Sequence, residues 1–318
     1  MFPGYLTDVA GIKVGHSQSD EGMTGVSVII CEEGATGGVD VRGSAPGTRE
    51  TDLFQAEKMI DKVHAVVLSG GSAFGLDASS GVMRYLEEKG IGFDVGVTKV
   101  PIVASAVIFD LDIGDHHIRP DFKMGYQAAR NTITEAALQG NIGCGRGATI
   151  GKILGPNYAM NAGLGSASVR VGDLIVSAMI VVNSFGDIYD PANNQQIAGV
   201  YDYDHKKLLN TIELMKEGSK EITFALKNTT IGVIATNARL TKAHANKVSQ
   251  VAHNGLARTI NPVHTMVDGD TIFTMATNKI EADINLVGSL AAEAMSKAII
   301  NAVLSAESIA GLKAFVDI

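Results

Sequence analysis

The sequence predicts a layered α/β protein in which sheets are covered by helices, and three observations carry this prediction. Short β-rich apolar runs at 26–30, 65–68 and 175–182 alternate with glycine-rich turns in the first two-thirds of the chain. Apolar residues make up 46% of the 318 residues, and the 36 glycines are typical of a well-packed globular chain with many tight turns. Helical patterns accompany the strands and no internal repeat divides the chain, so we expect a single domain over residues 1–318.

Each element follows from its local pattern. The run at 175–182 is nearly continuous in apolar residues, which indicates a strand buried on both faces. One helix is predicted over 74–89, between a glycine loop and Gly90, and a second over 122–138, after a Pro-Asp pair.

The least compact region is 190–227, which combines a polar loop with a charged stretch at 202–220. We interpret it as a surface excursion that carries the chain to Asn228. The pattern then becomes compact and predicts strand, helix, strand and helix at 231–235, 241–258, 271–276 and 284–307. The last helix is rich in alanine and is expected to pack closely.

Composition excludes several classes of protein. The net charge of −8, without a Lys/Arg cluster, argues against nucleic-acid binding. No run of 18 uninterrupted apolar residues occurs, so no membrane span is expected, and the first residues do not resemble a signal peptide. The two cysteines, Cys31 and Cys144, lack the spacing of a metal site or a disulfide framework, and the eight histidines show no ligand motif. We therefore expect a cytoplasmic protein without a metal or a cofactor.

The strongest candidate for chemistry is Thr229, which follows Asn228 and opens the apolar run at 231–235. If the Asn228–Thr229 peptide bond breaks, Thr229 gains a free α-amine, whose ordinary pKa of about 7.7–8.0 leaves a neutral fraction near pH 7. One residue would then supply both nucleophile and general base. The ordinary alternative for this tripeptide is a turn followed by the start of a strand.

Two carboxylates precede the strand predicted at 271–276. Asp268 and Asp270 are two residues apart, so they point to the same face if the extended conformation includes them. Such a pair could orient an α-ammonium group and shift its pKa. An acidic turn is the alternative, because Asp-Gly is a common turn pair.

Two glycine-rich loops are candidates for binding negative charge. Gly70, Gly71 and Ser72 lie between a strand and a helix, where backbone N–H groups favour an anion or an oxyanion, although a tight turn needs the same glycines. The spacing matches neither a dinucleotide fingerprint nor a Walker phosphate loop. The second loop leads to Lys152, which either stabilises developing negative charge or is solvated at the surface.

Asn183 follows the buried run at 175–182. An amide at the carboxyl end of a buried strand could donate to a carbonyl oxygen. The alternative is a turn asparagine before Gly186.

Taken together, these motifs resemble those of the DmpA-type self-processing hydrolases. The resemblance rests on Asn228-Thr229-Thr230 with its Ile-Gly-Val-Ile-Ala-Thr-Asn-Ala strand, on Asp268-Gly269-Asp270, and on Asn183. It spans nearly the whole chain, from the Gly-Ile-Lys-Val-Gly-His segment that begins at Gly11 to the last helix. The family includes L-aminopeptidase/D-esterases, β-peptidyl aminopeptidases, a pantetheine-amide hydrolase and the nylon-oligomer (6-aminohexanoate-oligomer) hydrolases.

The resemblance implies a four-layer αββα sandwich and synthesis as an inactive precursor. Cleavage between Asn228 and Thr229 would give an α chain of residues 1–228 and a β chain of residues 229–318, which stay together. It also implies a homodimer or homotetramer that acts on a small amide or peptide substrate.

Within the family, the chain looks most like the nylon-oligomer hydrolases, in which two aspartates, a lysine and an asparagine surround the threonine. The resemblance carries these roles to Asp268, Asp270, Lys152 and Asn183. Aminopeptidase members use a serine nucleophile and a Ser-x-Glu pair, and this chain has Asp268-Gly269-Asp270 at that place. The departure argues against simple aminopeptidase specificity.

The sequence therefore predicts a self-processing amidase with an N-terminal threonine. Its alternatives within the family are an aminopeptidase/D-esterase and a pantetheine-type amidase. Alternatives from other classes are an ornithine-type acetyltransferase, which also cleaves itself before a threonine, and an unprocessed non-catalytic oligomer.

Overall fold

The computed structural model of the protein describes residues 1–218 and 228–318. Its strands are β1 (Lys13–Ser19), β2 (Thr24–Val41), β3 (Thr48–Arg49), β4 (Lys62–Ser69), β5 (Phe93–Asp94), β6 (Lys99–Val100), β7 (Val103–Val107), β8 (Thr149–Ile150), β9 (Met160–Asn161), β10 (Leu164–Val171), β11 (Leu174–Val181), β12 (Asp187–Asp190), β13 (Gln195–Ala198), β14 (Tyr201–Asp202), β15 (Lys207–Leu208), β16 (Ile231–Ala238), β17 (Ile260–Asn261) and β18 (Thr271–Ile280). Its α-helices are α1 (Ala78–Glu88), α2 (Phe122–Arg130), α3 (Thr211–Glu217), α4 (Lys242–Thr259) and α5 (Ile284–Leu304).

The long strand β2 joins two halves of the main sheet, whose order is β10-β11-β16-β18-β2-β4-β7-β3. Its first part pairs with β1 and β4, and its second part pairs with β18. The register shifts between Ile30 and Ala35, where the strand passes from one half to the other. A β-bulge of this kind bends a strand, which lets one strand serve two sheets.

The two halves pack face to face. Val66 and Leu68 of β4 share one buried cluster with Val233 of β16 and Phe273 of β18. The alternate residues of the same strands face outward, as a period of two requires. Outward residues of β2 and β4 are covered by α1 and α2, and those of β16 and β18 by α4 and α5. The order of layers is therefore helix, sheet, sheet, helix, which confirms the predicted sandwich.

Helix α5 is apolar because it packs inside the protein. By length and composition alone it could cross a membrane, but 78% of its most apolar window is buried inside the protein. It contacts β10, β11 and α4. A Cβ atom on Gly165 of β10 would lie 2.1 Å from the carbonyl oxygen of Ala298, so only glycine allows this close approach. The expectation that the last helix packs closely is confirmed, although it ends at Leu304 and not at 307.

Two predicted helices differ from the structure at their ends. The helix predicted over 122–138 ends at Arg130, because Ile133 exchanges backbone hydrogen bonds with Val14 of β1 at 2.9 and 3.0 Å. The helix predicted over 74–89 begins with a 3-10 segment, Ser72–Asp77, before α1. Pairing with a distant strand overrides local helical spacing in the first case.

The predicted surface excursion is folded over the part that the structure describes. Strands β12 to β15 and helix α3 lie between 187 and 217, and Leu214 of α3 packs on a cluster formed around Phe185 and Val200. The remainder of the predicted excursion, 219–227, lies outside the described residues.

The N-terminus of α4 provides a stability test. The Thr241 hydroxyl accepts a hydrogen bond from the backbone N–H of His244 at 3.2 Å and so caps the helix. We expect Thr241→Ala to cost about 1 kcal/mol and to lower the melting temperature by roughly 2–4 °C, because the cap is lost. Thr241→Ser keeps the hydroxyl and serves as the control. Equal melting temperatures for the alanine and serine variants would contradict this role.

Candidate active site

Strand pairing brings the predicted site residues to one edge of the sheet. Strands β16 and β18 are parallel, with Ile231 opposite Thr271, so the residues that precede both strands meet at the same edge. Strand β11 runs antiparallel to β16 and ends beside its beginning, which places Asn183 there too. Asn228 and Asp268 form a parallel bridge just before the two strands.

The carbonyl group of Asn228 is held from two sides. The Thr229 hydroxyl donates to its oxygen at 2.5 Å, and the backbone N–H of Gly269 donates to the same oxygen at 3.0 Å. Thr229 is only 5% exposed, so these contacts are made away from bulk water. Negative charge that develops on this oxygen when a hydroxyl attacks the carbonyl carbon would meet a fixed donor.

Gly269 is required by space as well as by its N–H. A Cβ atom at this position would lie 2.6 Å from the carbonyl oxygen of Ala45 and 2.8 Å from the Thr229 hydroxyl oxygen. Real Cβ atoms do not approach oxygen so closely without a shift of one partner. The glycine therefore lets the loop before β18 contact the Thr229 side chain.

Asp270 fixes the peptide that follows Thr229. One of its carboxylate oxygens accepts the backbone N–H of Thr230 at 2.8 Å. The other accepts the His264 ring at 2.7 Å and the His264 backbone N–H at 3.2 Å. The side chain is 1% exposed, and these donors replace the water that the buried carboxylate has lost.

Asp268 has a different environment. One of its oxygens accepts the backbone N–H and the hydroxyl of Thr265, at 2.8 and 2.6 Å. Burial, and then the negative charge of Asp270, raise the pKa of Asp268 to about 6. The two aspartates that the sequence treats as one pair therefore have different hydrogen-bond partners.

Lys152 and Asn183 are connected to Thr229. The Lys152 ammonium group donates to the Asn183 side-chain oxygen at 2.6 Å, and the Asn183 backbone carbonyl accepts the N–H of Thr229 at 2.9 Å. Lys152 is thus directed into the site and is not a solvated surface lysine. The Asn183 side-chain amide donates to the carbonyl oxygen of Phe109 at 3.0 Å, an arrangement that orients the asparagine.

A family model gives this network its context. The model of peptidase family S58 matches residues 5–316. The chain belongs to peptidase family S58.

Sequence relatives agree with the family. The chain is 38% identical to an uncharacterized aminopeptidase of Mycobacterium leprae, over 98% of this chain and 92% of the relative. It is 31% identical to a 6-aminohexanoate-oligomer endohydrolase of Kocuria sp., over 93% of this chain and 84% of the relative. The protein is accordingly a hydrolase of peptide or amide bonds, and the resemblance drawn from its motifs is confirmed.

Two solved structures share the fold. The L-aminopeptidase D-Ala-esterase/amidase of Ochrobactrum anthropi, described as a variant of the Ntn hydrolase fold, matches with a TM-score of 0.72 at 16% identity, over 95% of this chain and 86% of that one. The β-aminopeptidase of Burkholderia sp. matches with a TM-score of 0.68 at 19% identity, over 98% of this chain and 92% of that one.

The glycine loop of this S58 hydrolase differs from the expectation in detail. The backbone N–H groups of Gly70, Gly71 and Ser72 donate to Gly25 O, to the Asp110 carboxylate and to Ile108 O, at 2.9, 2.7 and 2.9 Å. The donor that contacts the Asn228 carbonyl belongs to Gly269 instead. A role of the loop in substrate binding remains a prediction, supported by Ser72, which lines the pocket beside Thr229.

Asp110 holds this loop in place, and sequence reasoning missed it. Its carboxylate is 2% exposed and accepts the Thr24 hydroxyl at 2.6 Å as well as the N–H of Gly71. Burial raises the pKa of Asp110 to about 6. A single aspartate far from the glycine loop in sequence has no local signal that would have identified it.

Two pockets meet at Asn228. The lining of the first includes the ionisable residues Asp110, Asp112 and Lys152. The lining of the second includes Thr229. Its other lining residues carry no ionisable side chain and are Ala45, Pro46, Gly47, Ser72, Ala73, Val107, Ile108, Phe109 and Asn228.

Side chains of the metal-ligating types gather at one surface loop. Asp115, His116 and His117 are consecutive and exposed, and their ligand atoms lie within 4.8 Å of one another. The chemistry of the Thr229 network draws on other residues.

The contact between Gly269 and Thr229 provides a test of the site. We expect Gly269→Ala to lower the rate of amide hydrolysis by about 100-fold or more, because the new methyl group displaces the hydroxyl or the Ala45 carbonyl. Gly288→Ala in helix α5 is the matched control. Its Cβ atom would lie 3.4 Å from the side chain of Val251 in α4, which is an ordinary contact distance. The comparison uses hydrolysis rates and melting temperatures of both variants. Wild-type hydrolysis by Gly269→Ala would contradict the geometry.

Proposed function

We propose that the protein is a self-processing amide hydrolase whose nucleophile is Thr229, exposed as a new N-terminus by cleavage after Asn228. The observation that carries the proposal is the Asn228 carbonyl oxygen held between the Thr229 hydroxyl and the Gly269 N–H. The uncleaved chain is then the precursor, and its Asn228–Thr229 peptide bond is the first bond that Thr229 cleaves.

Maturation proceeds as an N→O acyl shift. The Thr229 hydroxyl oxygen attacks the Asn228 carbonyl carbon, the C–N bond breaks, and the nitrogen takes up the proton that the hydroxyl loses. Water then hydrolyses the resulting ester, which leaves the Asn228 carboxylate and a free Thr229 α-amine. The tetrahedral intermediate places its negative charge on the oxygen that Gly269 contacts.

The mature enzyme uses the same atoms on a second substrate. The neutral α-amine of Thr229 accepts the hydroxyl proton, and the oxygen attacks the substrate carbonyl. The amine portion leaves with a proton from the α-ammonium group, and water hydrolyses the acyl-enzyme. The Asn183 carbonyl, which accepts the Thr229 N–H in the uncleaved chain, is placed to orient the new amine.

The two pockets favour a substrate with an uncharged part next to the scissile bond. The pocket beside Thr229 has no ionisable residue in its lining, and the other pocket offers acids and a lysine for a polar or charged end. A small peptide-like amide or an ω-amino-acid amide has this distribution of charge. The 31% identity to the 6-aminohexanoate-oligomer endohydrolase of Kocuria sp. supports the second class, and the 38% identity to the Mycobacterium leprae aminopeptidase supports the first.

The two chains are expected to stay together after cleavage. Strand β16 pairs with β11, and β18 pairs with β2, so the two adjacent strands of the later chain are flanked on both sides by strands of the earlier one. Separation would break these ladders. The proposal includes a homodimer or homotetramer, as the resemblance implies, and a cytoplasmic location, as expected from the composition.

Self-cleavage is tested by the intact mass of the denatured protein. We expect the wild type to give two fragments that meet between Asn228 and Thr229. Thr229→Ala should give one chain of 318 residues, because it lacks the hydroxyl. Thr229→Ser keeps a hydroxyl and should still cleave. A cleaved Thr229→Ala chain would contradict the proposed nucleophile.

The pH dependence of hydrolysis tests the role of Asp268. Burial and Asp270 raise the pKa of Asp268 to about 6, so its carboxyl group is ionised above pH 6 and protonated below it. The Thr229 α-amine must lose a proton near pH 8. We expect log kcat/KM to fall with a slope near 1 from about pH 7.5 to 6 and near 2 below pH 6. In Asp268→Asn the slope should stay near 1, and a slope of 2 in that variant would exclude Asp268 as the second group.

A further inference from the structure

We propose that His264 is a positioning residue for Thr229, acting through Asp270 on the peptide bond that follows the nucleophile. The inference rests on the proposed function, since it concerns the same nucleophile. It assigns a role to a histidine that is not in the lining of either pocket at Asn228.

Within the described part of the chain, His264 donates two hydrogen bonds to the Asp270 carboxylate, and Thr230 donates another. Its ring nitrogen Nδ1 lies 2.7 Å from one carboxylate oxygen, and its backbone N–H donates to that oxygen at 3.2 Å. An ionised carboxylate only accepts, so Nδ1 carries the hydrogen. The other carboxylate oxygen accepts the Thr230 N–H at 2.8 Å.

The Thr230 N–H belongs to the same peptide plane as the Thr229 carbonyl group. Fixing this plane limits the rotation of the Thr229 backbone and hence the direction of its hydroxyl, which β-branching restricts further. Without the His264 ring, the buried carboxylate keeps the backbone N–H of residue 264 at 3.2 Å but loses the shorter bond at 2.7 Å, and it can rotate away from Thr230. Loss of the hydrogen bond from the His264 ring would therefore misplace the Thr229 hydroxyl.

The His264 backbone is held in an unusual conformation that serves these bonds. Its φ angle is +58°, in the left-handed region that non-glycine residues seldom adopt. Both its N–H and its ring reach the same carboxylate oxygen from this conformation. Unfavourable backbone conformations persist where the surrounding structure enforces them, and they cluster at functional sites.

The ring of a second histidine, His253, packs against the His264 ring. The His253 ring packs edge to face on the His264 ring, with centroids 4.8 Å apart and planes at 75°. Burial lowers the pKa of His253 to about 4, so this ring is neutral at pH 7. Its Nε2 lies 3.0 Å from the backbone carbonyl of Asp40, which only accepts, so that nitrogen carries the hydrogen. His264 is therefore packed between helix α4 and the Asp270 carboxylate.

The experiment compares His264→Asn with His264→Gly. The asparagine amide nitrogen can take the place of Nδ1 as a donor, and asparagine tolerates a positive φ. Glycine accepts the same backbone conformation more readily but has no side-chain donor. The difference between the two variants therefore isolates the hydrogen bond from the backbone.

We expect His264→Gly to slow both self-cleavage and kcat by about 10–100-fold, the cost of a hydrogen bond to a charged group. KM should stay within about twofold of the wild-type value, because the nucleophile and not the pocket is disturbed. His264→Asn should recover at least about fivefold of the lost rate. The kcat values are normalised to the amount of mature β chain, which is measured by mass spectrometry.

The outcomes separate the inference from the proposed function. If the wild type neither cleaves itself nor hydrolyses amides, the proposed function fails and this inference fails with it. If the wild type does both and His264→Gly matches it, His264 has no positioning role. Equal losses in both variants would show a merely structural role and overturn the proposal. If His264→Gly does not fold, His264→Leu replaces it, since leucine is close to asparagine in shape but has no side-chain donor.

Discussion

The parallel pairing of β16 with β18 is the constraint on which the site depends. It sets the residues before the two strands side by side, so that the backbone N–H of Gly269 reaches the Asn228 carbonyl oxygen at 3.0 Å. The hydroxyl of Thr229 reaches the same oxygen within its own dipeptide. A shift of one residue in this register would separate the donor from the carbonyl and reverse the faces of every side chain in β18.

Backbone groups at the strand ends hold the Asn228 carbonyl and Thr229 in position. The sheet is rigid because both of its faces are covered, one by the facing half-sheet and the other by helices. Three buried carboxylates then connect loops to this frame, and each is satisfied by fixed donors: Asp270 by Thr230 and His264, Asp268 by Thr265, and Asp110 by Thr24 and Gly71. Such fully bonded carboxylates restrict the loops without leaving buried charge unsatisfied.

Much of the fold could be predicted because its strands and helices carry strong periodic patterns. Strand β16 and the capped helix α4 begin where the sequence places them. The helix predicted over 122–138 was wrong at its end, because Ile133 pairs with Val14, a contact between distant segments that local spacing does not reveal. The same limit applies to the hydrogen-bond partners of Asp268 and Asp270, which differ although the two residues look equivalent in sequence.

The sequence predicts several residues of the candidate site but not the hydrogen bonds between them. Thr229, Asn183 and Lys152 form the expected network, yet the donor to the Asn228 carbonyl is Gly269, which in sequence looks like a turn glycine. Its role follows from the register of two strands. His264 likewise has no motif, because its link to Asp270 depends on a reversal of the chain between them.

The central claim is that the Thr229 hydroxyl becomes the acyl acceptor of a mature enzyme. The most direct measurement is to treat the purified protein with an aliphatic β-lactone, which acylates a nucleophilic hydroxyl by ring opening, and to locate the adduct by mass spectrometry of the digested β chain. We expect one ester adduct per β chain, on Thr229 at its N-terminus, with loss of amide hydrolysis in proportion to labelling. Full hydrolysis after complete labelling of Thr229, or inactivation through an adduct on another residue, would contradict the account.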